Sequence, residues 1–399
     1  MRILTVASPH AVATRDVFFG HLRGLRKVLG DENVQSYDII KRFNFFTHVT
    51  EYITTHLGIE VPKSMASNML AAEPVFGAAH AWGGVIGERA DVVYLVSPMY
   101  FPMTVVEMLK AAGFQVWAYF TECPYEDEFW ARAQAPLFDV CFVSDRQSLP
   151  RFRMFNENTH YLPHAYDPEL HYPRQSADIT VRDGVAELEL NVAPPANDHE
   201  HVTFVGTGFP SRQKFLEDTD WSGIDLRLYG NWWQVQEGNG PPRHKETGHF
   251  VSKSYALQNP DTTVMRSPIA PFVRRRLVEN VTTAQIYRGS KIGISMHRQE
   301  RFYRTGGVID KNEAYSIGPR AFELAACGLF QLSDARPELV DVFGDGGVPT
   351  FETPDDLGRL VRHYLKHDDE REAIARHNLE AVQGHTFEAR ARQMLSIAA

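Results

Sequence analysis

Cysteine is scarce in this chain: Cys123, Cys141 and Cys327 are the only three among 399 residues. An odd number without metal-ligand spacing excludes a disulfide framework and a zinc site, and two of the three lie in strand-like runs, so buried reduced thiols are expected. Long hydrophobic runs are also missing, because no apolar stretch reaches membrane-spanning length without a proline or a charge. The opening Met1-Arg2-Ile3-Leu4-Thr5-Val6-Ala7-Ser8 is too short an apolar run for a signal peptide, and a cytoplasmic protein without membrane insertion is expected. There is no basic excess: a net charge of −9 argues against a protein that coats nucleic acid. A dinucleotide fingerprint is incomplete as well. Gly206-Thr207-Gly208 is followed by Ser211 where a third glycine would stand, and no acidic residue follows the next strand in the expected role, which argues against NAD.

What is present is the composition of a globular protein, 43% hydrophobic and 12% aromatic, in a chain long enough for two cores. Residues 2–7 read as a strand, followed by a loop and a helix with Phe18, Leu22, Leu25 and Leu29 at helical spacing. A second helix over about 41–57 carries Phe43, Phe45, Phe46 and Tyr52. The strand at 91–97, the helix at 103–112 closed by Gly113 and the strand at 115–121 form a βαβ unit, and another strand covers 140–144. This first half reads as a parallel sheet wound with helices. Breakers crowd residues 161–173, the polar stretch 174–200 reads as a linker, and 180–192 alternate enough for a hairpin insertion. A second β–loop–α opening starts at His201, with later strands at 225–229 and 291–296. Helices are expected at 336–343, 354–366 and 368–383, and a last one begins at 385. Residues 238–265 read as irregular.

The densest stretch is Ser316 to Asp334. Gly318 and Pro319 read as a loop closing onto a helix start, Ala321–Ala326 favour helix, Gly328 can end it, and a strand follows at 329–333. Such a helix start offers backbone N–H groups and the positive end of a dipole to an anion. Arg320 adds a forked cation there, and Glu323, one turn on, can accept two hydrogen bonds from a vicinal diol such as a ribose. The alternative is an ordinary helix–strand unit with Arg320 and Glu323 on its surface. Charge supports an anion: between Arg266 and Arg320 eleven Lys or Arg face four acids, a net +7, which leaves −16 for the remainder.

The run Gly318-Pro319-Arg320-Ala321-Phe322-Glu323-Leu324-Ala325-Ala326-Cys327-Gly328, with Arg336-Pro337-Glu338-Leu339 after it, resembles the signature of CgeB-like glycosyltransferases, a group met in spore formers and in phages. The resemblance implies an α/β protein of the GT-B class, two Rossmann-like domains facing across a cleft, with a C-terminal helix crossing back to the first domain. It further implies a nucleoside diphosphate sugar as donor, a UDP-sugar being expected, with no metal required. The resemblance covers most of the second half and the first only loosely. Eight positions before Glu323 stands Tyr315, where the wider retaining group commonly has a second Glu.

Other positions are placed by the same likeness. Gly206 and Gly208 let the chain approach a diphosphate, with Arg212 as its cation and Lys214 as an outsider. Tyr229 and Gly230, with Trp232, fall beside the base, or else form a packing corner. His297 matches a His-Arg position at a strand end, followed by a loop with Gly306-Gly307 expected to move over the donor. In Thr121-Glu122-Cys123-Pro124-Tyr125-Glu126-Asp127, which directly follows a buried strand, Glu122 and Asp127 are candidates for substrate contact by their place at a strand end, the alternative being a solvated acidic loop, and the likeness favours Glu122 and Tyr125. Asp218-Thr219-Asp220 spells an Asp-x-Asp, but it closes a helix instead of ending a buried strand, which is the wrong context for a metal.

The expected organisation is an acceptor domain over 1–172, a linker with hairpin over 173–200, a donor domain over 201–384 and a returning helix over 385–399. The expected activity is transfer of a sugar to a hydroxyl of a macromolecular acceptor, DNA carrying a hydroxymethylated pyrimidine or a protein, with retention. Glu122, Arg212, His297 and Arg320 are the candidate catalytic residues. Gly206, Gly208, Tyr229, Gly230, Gly318, Pro319 and Glu323 join Arg212, His297 and Arg320 around the donor, and were the acceptor DNA, Phe45, Phe46 or Tyr100 would have to stack on its base or wedge it out. A sugar-nucleotide 2-epimerase and a non-catalytic nucleic-acid-binding module remain as alternatives.

Overall fold

A computed structural model describes residues 1–7, 12–60, 75–98, 101–125, 127–173, 201–232, 243–244, 262–263, 267–275, 278–300 and 314–398. The expected hairpin at 180–192, Tyr100, Glu126, the side chain of Phe46 and the Gly306-Gly307 loop lie outside the described residues. The chain divides into two compact units. The first comprises Met1–Ala165, Asp310–Ser316 and His385–Ala399, and the second Tyr166–Ile309 and Ile317–Gly384.

In the first unit six parallel strands form one sheet: β1 (Ile3–Val6), β2 (Val34–Tyr37), β3 (Val92–Val96), β4 (Gln115–Phe120), β5 (Val140–Val143) and β6 (Thr159–Tyr161). Their order is β2-β1-β3-β4-β5-β6. The central strands are near-continuous apolar runs, Val-Val-Tyr-Leu-Val in β3 and Val-Trp-Ala-Tyr-Phe in β4, buried on both faces as helices on either side require. Those helices are α1 (Val12–Leu29), α2 (Ile39–Leu57), α3 (Met103–Ala111), α4 (Asp127–Ala133) and α5 (Leu149–Arg153). Register is fixed across the sheet by pairs such as Tyr94 with Trp117 and Trp117 with Val140.

In the second unit six further parallel strands form β7 (Val202–Val205), β8 (Leu226–Tyr229), β9 (Val273–Arg275), β10 (Ile292–Ser295), β11 (Gln331–Asp334) and β12 (Thr350–Phe351). Their order is β9-β8-β7-β10-β11-β12. The chain runs outward from β7 to β9 and then returns to the other side of β7, so the connections diverge between β7 and β10. In open α/β sheets that crevice at the carboxyl ends is where ligands bind. The helices are α6 (Pro210–Asp218), α7 (Asn280–Arg288), α8 (Pro319–Ala326), α9 (Pro337–Phe343), α10 (Pro354–Lys366) and α11 (Asp368–Val382). Helix α10 opens with a capping box between Thr353 and Asp356. In the stretch read as irregular, Arg243–His244 pairs antiparallel with Thr262–Thr263.

The last helix, α12 (Phe387–Ala398), belongs to the first unit and packs along α1. Close approach is made possible by two glycines one turn apart: a Cβ on Gly20 would lie 2.2 Å from the Phe387 ring, and one on Gly24 would lie 2.4 Å from the Phe387 carbonyl oxygen. Arg390 of α12 donates to the carbonyl of Pro163 at 3.0 Å and to that of His164 at 3.1 Å. Beneath it, His21 meets the Tyr94 hydroxyl at 3.2 Å and His164 meets the Tyr119 hydroxyl at 3.3 Å. Burial drives the His21 imidazole down to about 3, so this interior is polar and uncharged at His21. All three cysteines are free and buried, with burial pushing Cys141 and Cys327 up to about 12. Among the described residues no helix is long and apolar enough to cross a membrane.

Candidate active site

Strand β7 ends in Val205, and the two glycines after it are set by their neighbours. Gly206 N–H donates to the Tyr229 carbonyl and Gly208 N–H to that of Asn231, both at 2.9 Å, so the loops after β7 and β8 remain zipped beyond the sheet. A Cβ on Gly230, whose φ is 111°, would lie 2.4 Å from the Gly206 oxygen. One on Gly206 would lie 2.3 Å from Arg320 Nη2. Only glycine admits the guanidinium at that distance.

Arg320 occupies the crevice between β7 and β10. Its Nε donates to the Val205 carbonyl at 2.6 Å and its Nη1 to the Met296 carbonyl at 3.2 Å, so it joins the carboxyl ends of the two strands. Its guanidinium lies 4.5 Å from the centre of the Phe204 ring. Arg212, buried on α6, donates to the Thr207 carbonyl at 3.0 Å and lies 5.5 Å from Phe204 and 5.1 Å from Phe209. Arg298, also buried, lies 5.5 Å from Phe209. Three guanidinium groups therefore converge on two phenyl faces. Glu300 brings a carboxylate to the same region, accepting from the Ser211 N–H and, at 3.0 Å, from the Ser211 hydroxyl at the start of α6.

Glu323 lies one turn into α8 and is half-buried. Its charge and that of Arg320 both reach Tyr287 of α7. Burial first, and then Glu323, push that phenol well above its ordinary value, against the pull of Arg320. His297 is held on both sides: Nδ1 donates to Asp334 Oδ1 at 2.8 Å, and Nε2 accepts the Gly318 N–H at 2.8 Å. The Ile317 N–H goes to Glu338 Oε2 at 2.7 Å.

The structure thus brings Gly206, Gly208, Arg212, Tyr229, Gly230, His297, Gly318, Pro319, Arg320 and Glu323 to the strand-end loops of the second sheet and to the α8 start. Trp232 is a packing corner: fully buried, it packs edge-on against Phe204 at 5.7 Å and donates to the Tyr229 carbonyl. Lys214 pairs with Asp218, and Asp220 pairs with Arg362 at 2.6 Å. Among the described residues no group of three or more His, Cys, Asp or Glu side chains could hold a metal ion. Spacing and residue type alone assign no role to Arg298, Phe204, Phe209, Glu338 or Asp334. For Arg298 the signal in the sequence is its place directly after His297 at a strand end.

Glu122 belongs to the first unit, in the turn after β4, where its carbonyl accepts the Tyr125 N–H. Beside it Ser97 holds a left-handed φ of 59°, and its hydroxyl accepts from Thr121 at 2.9 Å. A non-glycine residue in that conformation carries strain of about 1–3 kcal/mol, and strain of this kind clusters at functional sites. Asp127 is buried, and burial lifts its carboxyl to about 6. Phe45 is exposed on α2. In the same unit Asp145 accepts the N–H groups of Tyr315 and Ser316 at 3.0 and 2.9 Å, while Arg146 donates to the Tyr315 hydroxyl at 2.8 Å.

Residues 212–396 match a family described as glycosyl transferase-like. The spore protein CgeB of Bacillus subtilis is 22% identical over 191 residues, 48% of this chain and 51% of that protein, so the match spans about half the length of each. Among solved structures, sucrose-phosphate synthase from Thermosynechococcus elongatus superposes with a TM-score of 0.58 at 13% identity, covering 100% of this chain and 98% of that one. Anabaena HepE in complex with UDP-glucose superposes with a TM-score of 0.58 at 12% identity, over 99% of both chains. The fold is the one these solved structures share, GT-B, and over residues 212–396 the chain is similar to glycosyl transferase-like proteins, with the spore protein CgeB among those it resembles.

Proposed function

We propose that the protein transfers a sugar from a nucleoside diphosphate sugar, a UDP-sugar, to a hydroxyl group of a macromolecule. The observation that carries this reading is the convergence of Arg212, Arg298 and Arg320 at the carboxyl ends of β7 and β10, with Glu323 one turn away on α8. Cations fixed in a partly buried crevice stabilise charge that develops on a departing diphosphate, and they do so without reorganising during the reaction. Glu323 is a carboxylate suited to two ribose hydroxyls. The complex of HepE with UDP-glucose, on the same fold, supports a UDP-sugar as donor.

In this reading the second domain, residues 201–384, grips the nucleotide, and residues 1–172 present the sugar acceptor, with Glu122 and Phe45 facing it. The glycosidic bond to the diphosphate breaks as the acceptor oxygen bonds to the anomeric carbon. The leaving phosphate oxygen takes the acceptor proton, retention follows from attack on the same face, and no metal is needed. The macromolecular acceptor is a protein or hydroxymethylated DNA: the +7 segment favours DNA, and the −16 on the remainder counts against it.

Calorimetry with UDP on the wild type and on Glu323→Gln tests the donor site. A loss of about 1–3 kcal/mol is expected, because a charged partner of two hydroxyls becomes a neutral one. Equal affinity would remove the ribose role. Labelled UDP-sugars offered to hydroxymethylated DNA, plain DNA and a host lysate, followed by nuclease or protease, then identify the fraction that carries the label. Label confined to small molecules would remove the macromolecular reading.

A further inference from the structure

The motif Arg336-Pro337-Glu338-Leu339 and the buried pair of His297 and Asp334 have no part in the transfer chemistry proposed above, yet they meet at the start of α8. A helix start leaves N–H groups without intrahelical partners, and a side chain at the N-cap commonly accepts one of them. Here the N-cap is Gly318, which has no side chain, and Pro319 has no N–H. The partners come instead from neighbouring elements of the second unit. Glu338 of α9 accepts the Ile317 N–H, and His297, just beyond β10, accepts the Gly318 N–H. Asp334, the last residue of β11, accepts from both His297 Nδ1 and the His297 backbone N–H, at 2.8 and 2.9 Å through the same oxygen. The Arg336 guanidinium, itself buried, lies 3.7 Å from the other oxygen. A ring that donates at Nδ1 and accepts at Nε2 is neutral imidazole in one tautomer. A proton added at Nε2 would face the Gly318 N–H.

We infer that His297 and Glu338 are positioning residues: they hold the loop that enters α8, and so aim Arg320 and Glu323, with His297 acting as a fixed neutral hydrogen-bond acceptor that moves no proton in turnover. The inference rests on the donor-site reading only for its consequence on nucleotide affinity. The groups facing the imidazole agree with it. Burial lowers the pKa of His297, Asp334 acts against that, and Arg336 and Arg212 add to it. The Asp334 carboxyl stays ionised, held down to about 2 by the two hydrogen bonds from His297 and by Arg336 in spite of burial.

Substitutions separate position from chemistry. Gln at 297 places a non-titrating oxygen near the place of Nε2, and Gln at 338 keeps the carbonyl oxygen, whereas Ala at either site leaves an N–H without its partner. Hydrogen exchange over residues 314–323 and UDP affinity by calorimetry are measured for His297→Ala, His297→Gln, Glu338→Ala and Glu338→Gln. Both alanine variants are expected to exchange roughly tenfold faster in this segment and to bind UDP roughly tenfold more weakly. Both glutamine variants are expected to stay within about threefold of wild type in exchange and in UDP affinity, and the limbs of the pH profile of kcat are expected at the same pH in His297→Gln as in wild type. Unchanged exchange in folded His297→Ala or Glu338→Ala overturns the positioning role, and Glu338→Ala decides it where His297→Ala fails to fold. Lost turnover in His297→Gln with intact UDP affinity overturns the claim that His297 moves no proton. A wild type that binds no nucleoside diphosphate defeats the donor-site reading, while the exchange comparison still decides the positioning.

Discussion

At the scale of single residues the candidate site is built by mutual exclusion of space. Gly206 is small because Arg320 Nη2 fills the volume a methyl group would need, and Arg320 is held there by the Val205 and Met296 carbonyls. Adding one methyl at Gly206 therefore displaces a cation without deleting it. Gly206→Ala and Arg320→Ala are both expected to lower turnover by about 10²–10³-fold, the loss that follows removal of one group stabilising a leaving anion. Steady-state kinetics check this: the acceptor KM should change far less than kcat, and a Gly206→Ala variant with wild-type turnover would place the diphosphate elsewhere. The place of Arg320 in the first turn of α8 is legible in the sequence because it sits in a dense, recognisable motif. The phenyl platforms under the cations were not, since Phe204 reads as one more apolar strand residue and nothing in its spacing tells which face meets an arginine.

At the scale of elements, most of both sheets could be read from apolar runs, and what escaped has a common cause. Strands β2, β6, β9 and β12 are edge or near-edge strands of two to four residues, with Gln35, Ser36, His160 and Arg274 among them, too short and too polar for period-two alternation to register. The α1–α12 contact shows the same limit. A returning last helix follows from resemblance, but its docking depends on Gly20 and Gly24, which inside a helix read only as weak formers. Gly24→Ala drives a Cβ against the Phe387 backbone, and overpacking of this kind costs about 1–3 kcal/mol. Thermal or urea unfolding should show that loss while UDP affinity stays at the wild-type value. Equal stability would mean that α12 shifts to make room.

At the scale of the whole molecule, buried titratable groups set the acid limit. His21 and His171 are held neutral by burial, at about 3 and about 4, against 6.5 when exposed. Between about pH 6 and pH 4 the unfolded chain carries both of these protons and the folded chain neither, so falling pH favours unfolding. Asp127, raised to about 6 from 3.8, works in the opposite sense, because there the folded chain holds the extra proton. The balance is about one proton, or about 1.4 kcal/mol of stability lost per pH unit through that window. His385, lowered to about 4 and partly exposed, adds to the loss. Below 3.8 the Asp334 carboxylate contributes further, its stabilisation disappearing as pH falls toward about 2. Urea midpoints measured from pH 7 to pH 4 should fall steadily, and a flat profile would contradict the burial of these imidazoles.

The membership of α12 in the first unit has a consequence for biosynthesis. The core that begins with β1 keeps an open groove over Gly20 and Gly24 until Phe387 has been translated, more than two hundred residues after β6. At about 5–20 residues per second the ribosome needs roughly 10–40 s to cover that distance. For all that time the first Rossmann-like sheet waits, half-sealed, for a segment translated only after the second unit.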